Sequence, residues 1–112
     1  MPQPLPKVTR LHPPPPHLGE AGKAFWIATI RDYQVETGPL LTHLEVASGA
    51  LDRLSECRQV IKSEGLMITE DGKEDGKKIA HPLLKVESAS RAAFQSAMRA
   101  LRLQPIVKGA IG

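Results

Sequence analysis

The chain has 112 residues, 41% of them hydrophobic, with one cysteine and a formal net charge of +3. This length predicts one domain or slightly less, and a single cysteine excludes an intramolecular disulfide framework and a cysteine-based zinc site. No apolar run approaches the roughly 20 residues that a membrane-spanning helix needs, so we expect no membrane partner.

The first part of the chain is rich in proline. Residues 1–17 hold seven of the ten prolines and contain no apolar stretch typical of a signal peptide. Because proline lacks a backbone N–H and breaks helix interiors, we expect a flexible arm with polyproline II conformation at 13–16. The expected organisation is therefore an arm over 1–17, a helical domain over 18–105 and a flexible tail over 106–112.

Two helical patterns follow the arm. Residues 19–33 place apolar side chains at helical spacing, and Phe25 and Trp26 are the largest of the side chains available for packing. A longer amphipathic pattern covers 42–64, where leucines and alanines recur at steps of three and four residues. Gly65 then predicts a helix C-cap in the left-handed conformation.

The start of the long helix carries a capping signal. Thr42 followed by Glu45 matches a capping box, in which the hydroxyl accepts the Glu45 N–H and the carboxylate accepts the Thr42 N–H. Gly38-Pro39 is interpreted as a turn that precedes it. The predicted polar side of this helix carries Ser48, Asp52, Ser55, Gln59 and Lys62.

The stretch after the long helix predicts a β-hairpin. Residues 66–70 suit a short strand, Asp71-Gly72 is a turn signal, and 77–80 would form the return strand. Because an isolated two-stranded hairpin is only marginally stable, we expect it to lean on the helices or on a neighbouring subunit.

A last helix is predicted over 82–102, with Pro82 in its first position and His81 capping or flanking it. The predicted fold is mainly α: a three-helix core with a long central amphipathic helix and a short β-hairpin between the last two helices. The residues expected to form the core or oligomer contacts are Phe25, Trp26, Leu44, Leu51, Leu54, Ile61, Met67 and Phe94.

Motifs of catalysis and of cofactor binding are missing from the sequence. There is no phosphate-binding loop, dinucleotide-binding fingerprint, HExxH motif or nucleophile elbow. The four histidines do not combine with acidic residues at metal-ligand spacing on one helix. We therefore expect no enzymatic activity, no cofactor and no metal.

The positive charge is concentrated at the two ends of the chain. Residues 1–23 carry three bases against one acid and residues 82–112 carry five against one, whereas residues 24–64 carry four bases against six acids. Basic ends favour an anionic partner such as nucleic acid, or contact with an acidic neighbour, and a solvated surface is the plain alternative. The candidate DNA-contacting residues are Lys7, Arg10 and Lys23 near the arm and Arg91, Arg99 and Arg102 on the last helix.

Five short segments, in a fixed order, carry a resemblance to a known family. Over about residues 17–105 the chain resembles the short terminase small subunits of tailed phages and prophages. The segments are GKAFW at 22–26, LT at 41–42, EGLMIT at 64–69, HPLLK at 81–85 and ALRLQP at 100–105.

The resemblance implies a role in viral DNA packaging. Terminase small subunits are non-catalytic, assemble as ring-like oligomers, engage double-stranded viral DNA and recruit or regulate the large subunit, which carries the ATPase and nuclease. It thus implies a homo-oligomer that acts in the host cell cytoplasm. The chain lacks an obvious N-terminal helix-turn-helix, which favours contacts with the DNA backbone and its shape over base reading. The alternative is a protein–protein interaction module of a phage or prophage complex without direct DNA binding.

Overall fold

The computed structural model of the chain describes residues 12–70 and 76–106. Within these ranges, the elements in chain order are α1 (Glu20–Asp32), α2 (Gly38–Glu64), β1 (Met67–Thr69), β2 (Lys78–Ala80) and α3 (Leu83–Leu101). The two strands pair with each other in antiparallel orientation. The expected mainly α fold, with a long central helix and a hairpin before the last helix, is confirmed.

The long helix α2 begins earlier than the sequence pattern predicts. Its N-cap is Thr37, whose hydroxyl accepts the Leu40 N–H, and Pro39 lies in the first turn, where a missing N–H is tolerated. The capping box predicted at Thr42 is wrong, because the Thr42 hydroxyl instead donates to the Gly38 carbonyl inside the helix. The Gly38-Pro39 pair therefore opens α2 and does not form a separate turn.

The connection from α2 to α3 differs from expectation at both ends. Gly65 is the C-cap of α2 and has a positive φ of 93°, but its ψ of 160° is extended and not left-handed helical. Only glycine adopts this conformation without strain. Pro82 is the N-cap of α3 and not its first residue, so that the helix begins at Leu83.

The hydrophobic core lies where α2 packs against α1 and α3. Leu44 and Ala47 of α2 are fully buried, and the buried side chains of Trp26, Ile30 and Leu101 belong to the same cluster. Among the residues predicted as core or oligomer contacts, Trp26, Leu44, Leu54 and Ile61 are buried, Phe25, Leu51 and Phe94 are half-buried, and Met67 is exposed.

An aromatic pair also joins α1 to α3. The rings of Phe25 and Phe94 meet edge to face, with centroids 5.5 Å apart and an interplanar angle of 69°. This arrangement sets the positive edge of one ring against the negative face of the other.

Ser48 and Asp52, from the predicted polar side of α2, take part in the packing of the helices. Ser48 is fully buried, and Asp52 is partly buried and binds backbone N–H groups at the start of α1. The amphipathic pattern predicted one apolar face, whereas α2 is covered by a helix on each of two sides. The Ser48 hydroxyl has no hydrogen-bond partner among the residues that the structure describes.

The hairpin forms in the predicted place. Ile68 pairs with Ile79 at its centre, so the two isoleucines share one face of the ladder and the flanking pairs share the other. On that second face the Lys78 ammonium donates to the Thr69 hydroxyl at 3.4 Å. The predicted Asp71-Gly72 turn lies outside the described residues.

The hairpin leans little on the helices of its own chain. Within the described ranges, no helix makes an extensive contact with either strand. Leu66 and Met67 are 63% and 54% exposed, more than the other large hydrophobic residues described.

The segments on either side of the helical core are both tied to α1. The indole N–H of Trp26 donates to the His12 carbonyl at 2.8 Å. At the last residue of α1, the Asp32 carbonyl accepts the Ile106 N–H at 3.1 Å. The division into an arm over 1–17 and a tail over 106–112 stays a prediction.

Candidate nucleic-acid interface

The six candidate DNA-contacting residues do not form one cluster. Lys7 and Arg10 lie outside the described residues. Lys23 is exposed on α1, whereas the other three belong to α3 or its end. Arg91 and Arg99 are eight residues apart, which places them about 80° apart around the helix axis. Arg91 and Arg99, which were predicted to lie in one stripe, are therefore on different faces of α3.

The outer face of α3 is a surface of cations and small residues. Lys85, Ala92 and Arg99 are spaced by seven residues, so they lie on one line along the helix, and all three are exposed. The line spans about 21 Å from Lys85 to Arg99. Between its ends the exposed side chains are short or uncharged: Ser88, Ala92, Gln95 and Ser96.

Acidic side chains are absent from this outer face, since Glu87 is the one acid of α3 and points to the seam with α2. The charged side chains of the outer face are thus all positive. Lys85 was not predicted as a DNA-contacting residue, although its seven-residue spacing from Ala92 and fourteen-residue spacing from Arg99 are visible in the sequence.

Arg102 ends α3 in a conformation that is uncommon for a residue with a side chain. It is the C-cap of the helix and has φ 45° and ψ 54°, in the left-handed region. The Cβ of an L residue is crowded there, and glycine usually takes this position. Arg102 therefore lies at the C-terminal end of the helix, where its positive charge interacts favourably with the negative end of the helix dipole.

Two arginines pair with one carboxylate at the seam between α2 and α3, which is the surface line formed by Arg58, Glu87 and Arg91. Glu87 pairs with Arg91 one turn further along α3, and with Arg58 of α2, whose Nε lies 3.8 Å from Glu87 Oε1. Only 15% of the Glu87 side chain is exposed, against 60% for Arg58 and 52% for Arg91. No local signal could have revealed Arg58, because its partner lies on another helix.

A contrasting ion pair lies at the end of α1. Arg31 donates to Asp32 through two nitrogens, each 3.0 Å from a carboxylate oxygen. The hydrogen bond and charge of Asp32 raise the pKa of the Arg31 guanidinium. Both hydrogen bonds of this pair join neighbouring residues of one helix, unlike the contacts of Glu87.

A groove runs between α2 and α3 on the other flank of α3. It has a volume of about 470 Å³ and is lined by two cations and four small or apolar residues: Arg53, Lys85, Val86, Ala89, Ser90 and Ala93. Lys85 thus belongs both to this groove and to the outer face of α3.

His81 holds the start of α3 in place, as the sequence predicted. The ring is buried, its Nδ1 accepts the Leu83 N–H at 3.1 Å, and its Nε2 lies 3.3 Å from Glu64 Oε2. Because Nδ1 accepts, the proton is assigned to Nε2, which donates to Glu64. His81 therefore caps α3 and links it to the last residue of α2.

Within the described ranges, no three residues of the types that ligate metals come together as a site. In those same ranges, no helix has the length and apolarity required to cross a membrane. Comparison of the chain with protein-family models, with curated proteins and with solved structures yields no match.

Proposed function

We propose that this protein is a non-catalytic DNA-packaging subunit of the terminase small subunit type. In this role it binds double-stranded viral DNA, assembles as a homo-oligomeric ring in the host cytoplasm, and recruits or regulates a large subunit with ATPase and nuclease activity. The observation that supports the proposal is the outer face of α3, where cations stand at both ends and no acid intervenes.

The chemistry of this face suits phosphate contacts. Lys85 and Arg99 lie about 21 Å apart along the helix. Because the side chains between them are mostly short, a DNA backbone could approach this face closely. Lysine and arginine release counterions when they neutralise phosphates, so binding of this kind weakens steeply as salt rises. Small and uncharged side chains on the rest of the face are consistent with backbone contacts that carry little sequence information.

Exposed apolar side chains support the homo-oligomer. Leu66 and Met67 stand on a hairpin that its own helices scarcely cover, and Val46 and Val86 are 46% and 41% exposed on α2 and α3. Burial of such side chains against another copy would remove apolar surface from water, which favours association.

The DNA-binding part is tested by fluorescence anisotropy with a labelled duplex over a range of salt concentrations. Wild type should bind at low salt with a steep salt dependence. The triple variant Lys85→Gln, Arg99→Gln and Arg102→Gln should bind more weakly and with a shallower salt dependence. The matched control is the triple variant Lys62→Gln, Lys77→Gln and Lys78→Gln, because these three lysines are exposed and lie outside α3. An unchanged affinity and slope in the triple variant would remove the outer face of α3 from the proposal.

The ring is tested separately by size-exclusion chromatography with light scattering. A stable monomer at micromolar concentration would contradict assembly. Loss of assembly in Met67→Ser, with the helical circular dichroism preserved, would place the hairpin in the contact between copies.

The alternative is an interaction module that binds no DNA, in which the cations of α3 meet acids of a neighbouring protein. The unequal charge of the chain favours this reading, since residues 24–64 carry a surplus of acids and residues 82–112 a surplus of bases. Absence of duplex binding at low salt, together with retained binding to a large subunit, would select the alternative.

A further inference from the structure

The cluster of Arg58, Glu87 and Arg91 has one more positive charge than its single carboxylate neutralises. Two arginines from different helices converge on Glu87 Oε1, and the carboxylate itself is largely enclosed, with 15% of its side chain exposed. The side chains of both arginines are more than half exposed, so a ligand in solution can reach them.

Within the described residues, these arginines use only a small part of their hydrogen-bonding capacity. A guanidinium has five N–H donors in a planar fork. Arg91 donates from one nitrogen, Nη2, to Glu87. Arg58 lies 3.8 Å from the carboxylate, a distance that allows ionic attraction but exceeds a hydrogen bond. Both forks therefore retain donors that face water.

Glu87 also limits the conformations of the two side chains. Arginine loses considerable rotamer entropy when it binds a phosphate, and this loss is smaller where the side chain is already held. A glutamate four residues before an arginine on a helix is the favoured order for such a pair. Arg58, on α2, approaches the same carboxylate oxygen, so the guanidinium groups of the two arginines lie close together.

We propose that Arg58 and Arg91 together bind a backbone phosphate of duplex DNA and that Glu87 is the positioning residue that holds them. This inference rests on the proposed function and adds a second contact region, on the seam of α2 and α3, to the outer face of α3. Arg58 is the new DNA-contacting residue.

The test measures the affinity of the full-length protein for a labelled duplex at several salt concentrations. It compares a variant of the Arg58–Glu87 ion pair with a variant of the Arg31–Asp32 ion pair. Arg58→Gln should lower the affinity and reduce the slope of log K against log salt by about one contact, or about 0.9. Arg31→Gln is the matched control: it removes an arginine of similar exposure that is hydrogen-bonded through two nitrogens to the neighbouring Asp32. The control should leave the slope unchanged.

Glu87→Gln and Glu87→Ala separate the charge of Glu87 from its positioning role. Both variants remove the negative charge, but only glutamine keeps a side-chain oxygen that can accept from Arg91. We therefore expect Glu87→Ala to bind the duplex more weakly than Glu87→Gln at the same salt concentration. Equal affinities of the two variants would overturn the positioning role.

The two proposals fail in different ways. If wild type binds no duplex, the proposed function fails. If wild type binds duplex but Arg58→Gln and Arg31→Gln change the slope equally, the phosphate site at the seam is wrong and the proposed function stands. Circular dichroism melts of each variant confirm that the folded protein is being measured.

Discussion

The Asp52 carboxylate of α2 accepts the Gly22 N–H of α1 at 2.7 Å, across 30 positions of the chain. Its other oxygen accepts the Gly19 N–H, also at 2.7 Å. Gly19 is the N-cap of α1 and has no side chain to satisfy the first N–H groups of the helix. A residue of the central helix thus performs the capping that the local sequence of α1 does not provide.

Removal of this carboxylate should destabilise the fold. Asp52→Ala leaves two N–H groups without their acceptor and removes a negative charge from the positive end of α1, which should cost about 2 kcal/mol. Chemical denaturation measures the free energy of unfolding. Glu56→Ala, an exposed acid one turn further along α2, is the control and should change it by less than about 0.5 kcal/mol. Equal effects of the two variants would contradict the capping role.

A methyl group at Gly22 should also be destabilising. An ideal Cβ at this position would lie 2.7 Å from the Ser48 carbonyl oxygen and would also clash with the Asp52 carboxylate. We expect Gly22→Ala to lose about 1–3 kcal/mol through overpacking, even though alanine is the better helix former.

Gly49→Ala is the matched control for that variant. Its Cβ would meet only the Arg53 guanidinium, at an ordinary contact distance of 3.7 Å. Because α2 continues through this position, the control should gain up to about 1 kcal/mol from helix propensity. The opposite signs of the two glycine replacements are measured by the same denaturation experiment.

Arg102→Gly should stabilise the protein. It relieves the left-handed strain of the C-cap, with an expected gain of about 0.5–1 kcal/mol. Arg99→Gly, within the last turn of α3, should instead lose about 1 kcal/mol. Both variants remove one cation, so a difference in their melting temperatures reports the backbone conformation and not the charge. A loss on Arg102→Gly equal to that of Arg99→Gly would show that the left-handed conformation is not strained.

His81→Ala should loosen the start of α3. The variant leaves the Leu83 N–H without its acceptor, breaks the link to Glu64 and opens a cavity, at a cost of about 1–2 kcal/mol. His81→Asn should recover part of the loss, because asparagine can accept from a nearby backbone N–H. Hydrogen exchange at the first turn of α3 measures the effect directly, and equal protection in His81→Ala and wild type would contradict the cap.

Ser48→Ala should leave stability unchanged or raise it. The Ser48 hydroxyl is fully buried and has no hydrogen-bond partner in the part of the chain that the structure describes. Replacement of an unsatisfied buried hydroxyl by a methyl removes a desolvation cost of about 1 kcal/mol. Ser48→Val is the contrasting variant: it should lose stability, because α1 lies close to this position. A clear loss on Ser48→Ala would show that the hydroxyl has a partner.

The sequence predicted the order and type of the elements because these depend on short-range patterns. Apolar spacing marked all three helices, and Gly65 marked the end of α2. The true start of α2 was missed because Thr37 and Thr42 both precede plausible first turns, and the local pattern at Thr42 also contained a glutamate at the right spacing. The earlier start places Leu40 and Leu41 within the helix, where both pack against the hydrophobic core.

The candidate site depended on contacts that no local pattern records. Arg91 was identified from its charge, but Arg58 joins it only because α2 and α3 lie side by side. The role of Asp52 was hidden for the same reason, since its partners precede it by about 30 residues. Helical periodicity separates a polar side from an apolar one, but it does not show which polar residues a second helix will cover.

The contacts of α1 with His12 and Ile106 have a mechanical consequence. One short helix contacts both residues, through Trp26 and Asp32, which are about 9 Å apart along its axis. A displacement of α1 would therefore be transmitted to His12 and to Ile106 at the same time.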